Sequence, residues 1–258
     1  MCLIIFSHQP DSDLPLVVAA NRDEYHARAT KPSAFWNDHP GVFAGRDLVG
    51  GGTWMGITRS GRFAAITNFR DPQASDPAPR SRGELTLDFL AGNDDPATYL
   101  QRVASRASEY AGYSLLVGSA RELWHQSNAG DSSQRQPRPL APGLYGLSNA
   151  NLDTPWPKVQ RGKAVMAELL NSRAVSHDTL ATAVNSAELA NPEALKLQDL
   201  TADMDALLSA QFITAGPYGT RACTTLWMGE GGEVSFLERS YNEDGRETHQ
   251  SWAHFTVE

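Results

Sequence analysis

Two apolar, β-prone runs at the start of the chain limit its fold more than any other feature. Leu3-Ile4-Ile5-Phe6 follows Met1-Cys2 directly, and Leu14 to Ala20 follows after one turn, Gln9-Pro10-Asp11-Ser12-Asp13, rich in turn-forming residues. Short continuous apolar runs bounded by turn signals read as buried strands. Joined as a hairpin, they place a strand pair in the middle of a sheet. They also return the polar end of the second run, Asn21-Arg22-Asp23-Glu24-Tyr25, to the neighbourhood of Cys2.

Cys2 is the first candidate for chemistry. Aminopeptidase trimming of Met1, usual before a small residue, would make Cys2 the N-terminus. One residue then carries a thiol and an α-amine whose pKa of about 7.7–8.0 leaves part of it neutral near pH 7. That amine can take the thiol proton directly or through water, as in other activated N-terminal nucleophiles. The plainer reading is a first strand that happens to begin with Cys, with a charged strand end at Asn21–Glu24 in solvent.

The sequence has 258 residues, 41% of them hydrophobic, enough for one large core, and we read residues 1–258 as a single domain. Its formal net charge of -8, with no Lys/Arg run, argues against a nucleic-acid partner. Two cysteines, Cys2 and Cys223, make no disulfide framework and fit a reducing compartment. No apolar run approaches the roughly 20 residues of a bilayer span, and the N-terminus lacks a basic leader, so a cytoplasmic protein without stable membrane insertion is expected.

Further along, residues 26–50 look irregular. Gly50-Gly51-Gly52 lacks the Gly-Lys-Ser/Thr of a phosphate loop and reads as a tight turn. A hairpin is expected over 53–58 and 62–68, and an exposed loop over 72–80. Ser81 with Glu84 has capping-box spacing for a helix, and Asp95-Pro96 opens another. A hairpin over 113–119 and 122–127 follows, then a polar loop from Asn128 to Pro139. Pro157 starts a helix through Leu170, with further helical segments near 177–186 and 193–210. Strands are expected at 221–229, 233–239 and 248–257. Helices segregated from antiparallel strands give an α+β fold. Two sheets face to face with helices on both outer sides, a four-layer αββα sandwich, would bury every apolar face.

The Met1-Cys2 start and Asn21-Arg22-Asp23-Glu24 resemble the NRDE family, also called the transport and Golgi organisation family. Gly51-Gly52-Thr53-Trp54, Thr67-Asn68-Phe69-Arg70, Ser81-Arg82-Gly83, Leu147-Ser148-Asn149 and Tyr218-Gly219-Thr220-Arg221 continue the match in order. The resemblance implies a fold like the N-terminal nucleophile hydrolases. It also implies a site of Cys2, Arg22, Asp23, Asn68, Asn149 and Arg221, with Cys2 attacking an amide. Arg22 beside the thiol would favour the thiolate, Asp23 would orient the α-amine, and an Asn N–H would stabilise an oxyanion. Singly, each has a plainer reading: a strand-end ion pair for Arg22–Asp23, turn residues for Asn68 and Asn149, a sheet-face charge for Arg221.

Two functions compete. One is hydrolysis of a non-peptide amide or related acyl bond, which requires no cofactor and no metal. The other, also implied by the resemblance, is carriage of haem or another amphipathic ligand in the same pocket. Cys2 is then a possible axial thiolate, and His8, His26 and His125 are read as ordinary surface or core residues rather than ligands. The nucleophile reading makes a direct prediction: the intact mass of natively expressed protein lacks Met1. A mass retaining it would remove the amine-base mechanism.

Overall fold

The first apolar run forms β1 (Cys2–His8), buried at every position. Such a strand needs cover on both faces, and it has it. Ile4 and Phe6 point into a core between two sheets, while Leu3 and Ile5 point into a core beneath a helix layer. The structure is a computed structural model that describes residues 2–70, 78–196 and 203–258.

In chain order, β2 (Leu16–Tyr25), β3 (Thr30–Phe35), β4 (Val42–Asp47), β5 (Met55–Thr58) and β6 (Phe63–Asn68) follow β1. Then come helices α1 (Gly83–Ala91) and α2 (Pro96–Ser105), β7 (Tyr113–Gly118), β8 (Leu123–Ser127), α3 (Ser132–Arg135), β9 (Arg138–Pro139) and β10 (Gly143–Leu147). Four helices, α4 (Pro157–Asn171), α5 (His177–Ala181), α6 (Pro192–Lys196) and α7 (Asp203–Leu208), lead to β11 (Thr214–Ala215), β12 (Tyr218–Met228), β13 (Glu233–Tyr241) and β14 (Glu247–Thr256).

One sheet has the order β10-β1-β2-β12-β13-β14, with β11 attached to β12; the other runs β3-β4-β5-β6-β7-β8-β9. Their facing sides share one core, in which Phe236 of the first sheet meets Phe43 of the second at 5.1 Å between ring centroids. Leu85 and Phe89 of α1 and Leu100 of α2 cover the outer side of the second sheet. Val159 and Met166 of α4 and Leu180 of α5 cover the outer side of the first. The fold is therefore the expected α+β, four-layer αββα sandwich. Among the described residues, no helix is long and apolar enough to cross a membrane.

Three local expectations are corrected. Residues 26–50 are not irregular but hold β3 and β4. β3 is an edge strand whose alternation is obscured because only Ser33 in it is buried. Pro32 is tolerated there because an edge residue needs no ladder donor, and the register shifts between Lys31 and Ala34. The Ser81–Glu84 capping box does not form: Arg82 is the N-cap of α1 and no side chain caps it. The Glu84 carboxylate instead takes hydrogen bonds from Arg80 and Tyr110. The polar loop after Asn128 contains α3 and β9. Asp95 does cap α2, accepting from the Thr98 amide at 2.9 Å. Part of the loop expected over 72–80 and of the helical stretch expected over 193–210 lies outside the described residues.

The glycine turn acts by close approach. A Cβ on Gly52 would lie 2.3 Å from the Gly83 carbonyl carbon, and the Thr53 amide donates to the Gly83 oxygen at 3.1 Å. This seats the start of α1 against the mouth of β5. Gly52→Ala meets backbone, which cannot rotate away, so an overpacking cost of about 1–3 kcal/mol is expected. Urea unfolding should show a lower midpoint with an unchanged slope; an unchanged midpoint would contradict the close packing.

Candidate functional site

The β1–β2 ladder sets Cys2 directly opposite Arg22. Directly opposed side chains share a face at about 4.5–5.5 Å between Cβ atoms. Both belong to the face that carries Ile4, Phe6 and Ala20 into the space between the sheets. The same row continues through Ala222 to Ser240 on β12 and β13. There the core gives way to a cavity of about 880 Å³ lined by Cys2, Arg22, Asn68, Arg82, Arg221 and Glu238 among others.

Asp23 is the next residue along β2, so its side chain turns to the helix-covered face. It is buried, its carboxylate accepts from Thr220 Oγ1 at 2.7 Å, and its backbone amide favours the Cys2 thiolate. Arg221 occupies a bulge: the β2–β12 register shifts between Thr220 and Ala222. A bulge re-aims a side chain, and here the Arg221 guanidinium donates to the Tyr25 oxygen at 3.2 Å and to the Arg28 oxygen. It thereby holds the cavity rim, where Arg28 pairs with Asp47 at 2.8 Å.

The two asparagines are tied together. Asn149 Nδ2 donates to the Asn68 carbonyl at 2.9 Å. Ser148 Oγ donates to the Cys2 carbonyl at 2.9 Å, and Thr67 Oγ1 donates to the Ser148 carbonyl at 2.7 Å. Asn68 reaches the cavity wall, whereas Asn149 is buried behind it. The six residues implied by the resemblance thus gather at one strand end, five of them on the cavity lining and Asn149 one contact behind.

Burial dominates the electrostatics of the site. Burial pushes the Cys2 thiol above its ordinary range. The amino-terminal charge, Arg22 and the Asp23 amide pull it down, and the Asp23 carboxylate pushes it up, but burial prevails. Arg22 alone therefore does not make a thiolate here. Burial likewise raises the Asp23 carboxyl against the amino terminus, Lys158, the Thr220 hydrogen bond and Arg22.

Sequence reasoning gave no role to several residues that the fold brings to the site. Arg82, at the start of α1, faces the cavity, donates to the Gly112 oxygen at 2.9 Å and feels the charge of Cys2. Its only signal was membership of Ser81-Arg82-Gly83. Glu238 is buried on the cavity wall and bridges the sheets by accepting from the Ser33 amide at 2.8 Å. Asn21 faces the helices, donating to the Val184 and Gln211 carbonyls at 2.6 and 2.8 Å. His8 is at the far end of β1, about 20 Å from Cys2 at roughly 3.4 Å per residue. His125 is a core residue that burial pushes down to about 3. Among the described residues, no group of three or more His, Cys, Asp or Glu is arranged to hold a metal ion.

The profile of the family described as Transport and Golgi organisation 2 matches residues 1–243. The chain belongs to this family. It is 34% identical to the Transport and Golgi organization protein 2 homolog of Bos taurus over 258 residues, covering 93% of each chain. It is 33% identical to the Homo sapiens homolog over 262 residues, again covering 93% of each. Among solved structures, a variant of conjugated bile acid hydrolase from Clostridium perfringens superposes with a TM-score of 0.44 at 10% identity, covering 99% of this chain and 98% of that one. In this family member the ordered motif pieces converge in space. Arg22, Trp54, Asn68, Arg82 and Arg221, each from a different piece, line one cavity.

The two thiols should differ in reactivity. Cys223 is buried under the helix layer and pushed up to about 12, whereas Cys2 borders the cavity. Limited iodoacetamide labelling with peptide mapping should mark Cys2 first, faster as pH rises above neutral because its thiol is raised. Arg22→Gln removes a cation that lowers the thiol pKa and should slow labelling further. Preference for Cys223 would contradict this assignment.

Proposed function

We propose that the protein is an N-terminal cysteine hydrolase acting on a non-peptide amide or a related acyl bond. The observation that supports this reading best is the ladder position of Cys2. Cys2 stands opposite Arg22 in the ladder, and it lies at the wall of a cavity that admits a small molecule.

Because burial keeps the thiol protonated, a base is required, and removal of Met1 would provide one. The α-amine of Cys2 takes the thiol proton as sulfur attacks the carbonyl carbon. The tetrahedral oxyanion accepts N–H from the Asn68 side chain, whose backbone Asn149 holds in place. The ammonium returns its proton to the leaving amine as the C–N bond breaks, leaving a thioester on Cys2. Water, deprotonated by the same amine, attacks the thioester, releases the acid and restores the thiol. Arg22 offsets the negative charge on sulfur during attack, and Asp23 orients the amine from behind the strand. No cofactor or metal enters these steps.

The second reading, a non-catalytic carrier of haem or a lipid-like small molecule, has one observation in its favour. A cavity of about 880 Å³ falls within the roughly 300–1,000 Å³ of small-molecule sites whether or not turnover occurs. The two readings separate in a screen of N-acyl amides run beside a haem titration. If Cys2 is the nucleophile, Cys2→Ala abolishes turnover and leaves ligand affinity within about tenfold, since only the transition state loses its covalent partner. Arg22→Ala lowers kcat with a smaller change in KM. No hydrolysis of any amide by wild type, with haem absorbance that responds to Cys2→Ala, would establish the carrier instead.

A further inference from the structure

Lys158 takes no part in the steps above, yet its placement calls for a partner. It is the second residue of α4, and its side chain is only 2% exposed. Lysine is almost never fully buried unless paired, because an ammonium taken out of water needs an anion. Its Nζ donates to the Leu208 carbonyl at 3.0 Å and lies 5.5 Å from the Trp156 ring centroid, both neutral groups.

The anion is placed by one segment, residues 208–213. On one side this segment holds Lys158, through the Leu208 oxygen and through Gln211 Nε2, which donates to the Lys158 carbonyl at 2.9 Å. On the other it holds the end of β2. The Gln211 carbonyl accepts from Asn21, and the Ile213 amide donates at 2.9 Å to Thr220 Oγ1, which donates to the Asp23 carboxylate. Lys158 and Asp23 are therefore buried in the same layer, on the helix side of the sheet, where Asp23 also meets the cavity wall and Lys158 does not line it. Of the charges acting on Lys158, Asp23 favours the ammonium most, Cys2 next, and Arg70 opposes it. Asp23 in turn faces the amino terminus, Lys158 and Arg22 as cations, with Cys2 and Tyr218 beside it and Thr220 bonded to it.

We infer that Lys158 is a positioning residue of the site: its buried ammonium is a counter-charge that favours the ionised form of the Asp23 carboxyl behind Cys2. A ligand in the cavity does not need to touch it. Its effect on catalysis rests on the hydrolase reading, in which Asp23 orients the amine; the charge pair itself does not.

The signs follow from burial. Without Lys158 the Asp23 carboxyl rises further above its unfolded value. Such a group leaves the fold unharmed at low pH and destabilises it as pH rises and the unfolded state ionises. Lys158 is itself pushed down to about 8, so the test belongs below that pH. Thermal unfolding of the full chain is measured for wild type, Lys158→Met, Asp23→Asn and the double variant, at about pH 5 and about pH 7.5. We expect Lys158→Met to lower the midpoint more at the higher pH, and the double variant to melt above either single variant there. Lys158→Arg, which keeps the charge, should follow wild type in its pH dependence. In labelling, Lys158→Met should change the rate at Cys2 by about threefold or more near neutral pH, and by less than about twofold in the Asp23→Asn background.

An equal loss at both pH values, not relieved by Asp23→Asn, overturns the inference. A Lys158→Met chain that fails to fold while the double variant folds supports it. Failure of both, with Lys158→Arg failing too, assigns Lys158 to packing and overturns it. Loss of compensation sinks the pair whatever the protein hydrolyses, whereas absence of turnover in wild type sinks the hydrolase reading and leaves the pair standing.

Discussion

The antiparallel ladder between β1 and β2 is the interaction on which the rest depends. Its register sets Cys2 opposite Arg22 and, through β12, sets Asp23 opposite Thr220. A slip of one residue would turn Cys2 and Arg22 to the helix side and Asp23 to the cavity. The register is held because both faces of β1 are buried: Ile4 and Phe6 pack between the sheets, Leu3 and Ile5 against α4 and α5. The stiffness of the site is thus a property of the core, and the candidate residues sit where that core opens into a cavity.

That explains what the sequence revealed and what it concealed. Continuous apolar runs gave away the central strands, and the Asn21–Glu24 end was traceable to Cys2 by hairpin spacing alone. β3 was hidden because an exposed edge strand containing Pro32 shows no alternation. The bulge at Arg221 was hidden because an extra residue leaves no mark on composition, yet it decides where that guanidinium points. Arg82, Glu238 and Lys158 come from segments far along the chain and meet the site only through tertiary packing. The net direction of the Cys2 shift was hidden for a related reason. A neighbouring Arg can be read from sequence, whereas the depth of burial that outweighs it cannot.

The charges divide between the two faces of one sheet. On the cavity face, Arg22, Arg82 and Arg221 line the same cavity as a thiol that burial pushes above its ordinary range. On the helix face, Asp23 and Lys158 are buried among hydrogen-bonded Asn21, Gln211 and Thr220. The strand end between them carries the Cys2 backbone, where a free α-amine would emerge. In a hydrolase this separates tasks: the cavity face receives substrate and offsets charge on sulfur, and the helix face fixes the base.

Trapping the acyl-enzyme tests the central claim most directly. Protein whose N-terminus is Cys2 is mixed with an activated acyl ester such as p-nitrophenyl acetate, quenched in acid at short times and analysed by intact mass and peptide mapping. The account predicts a single acyl adduct on Cys2 that forms in a burst, decays by hydrolysis and is absent from Cys2→Ala. An adduct on Cys223 or on lysines, or turnover of the ester with no adduct on Cys2, would contradict it.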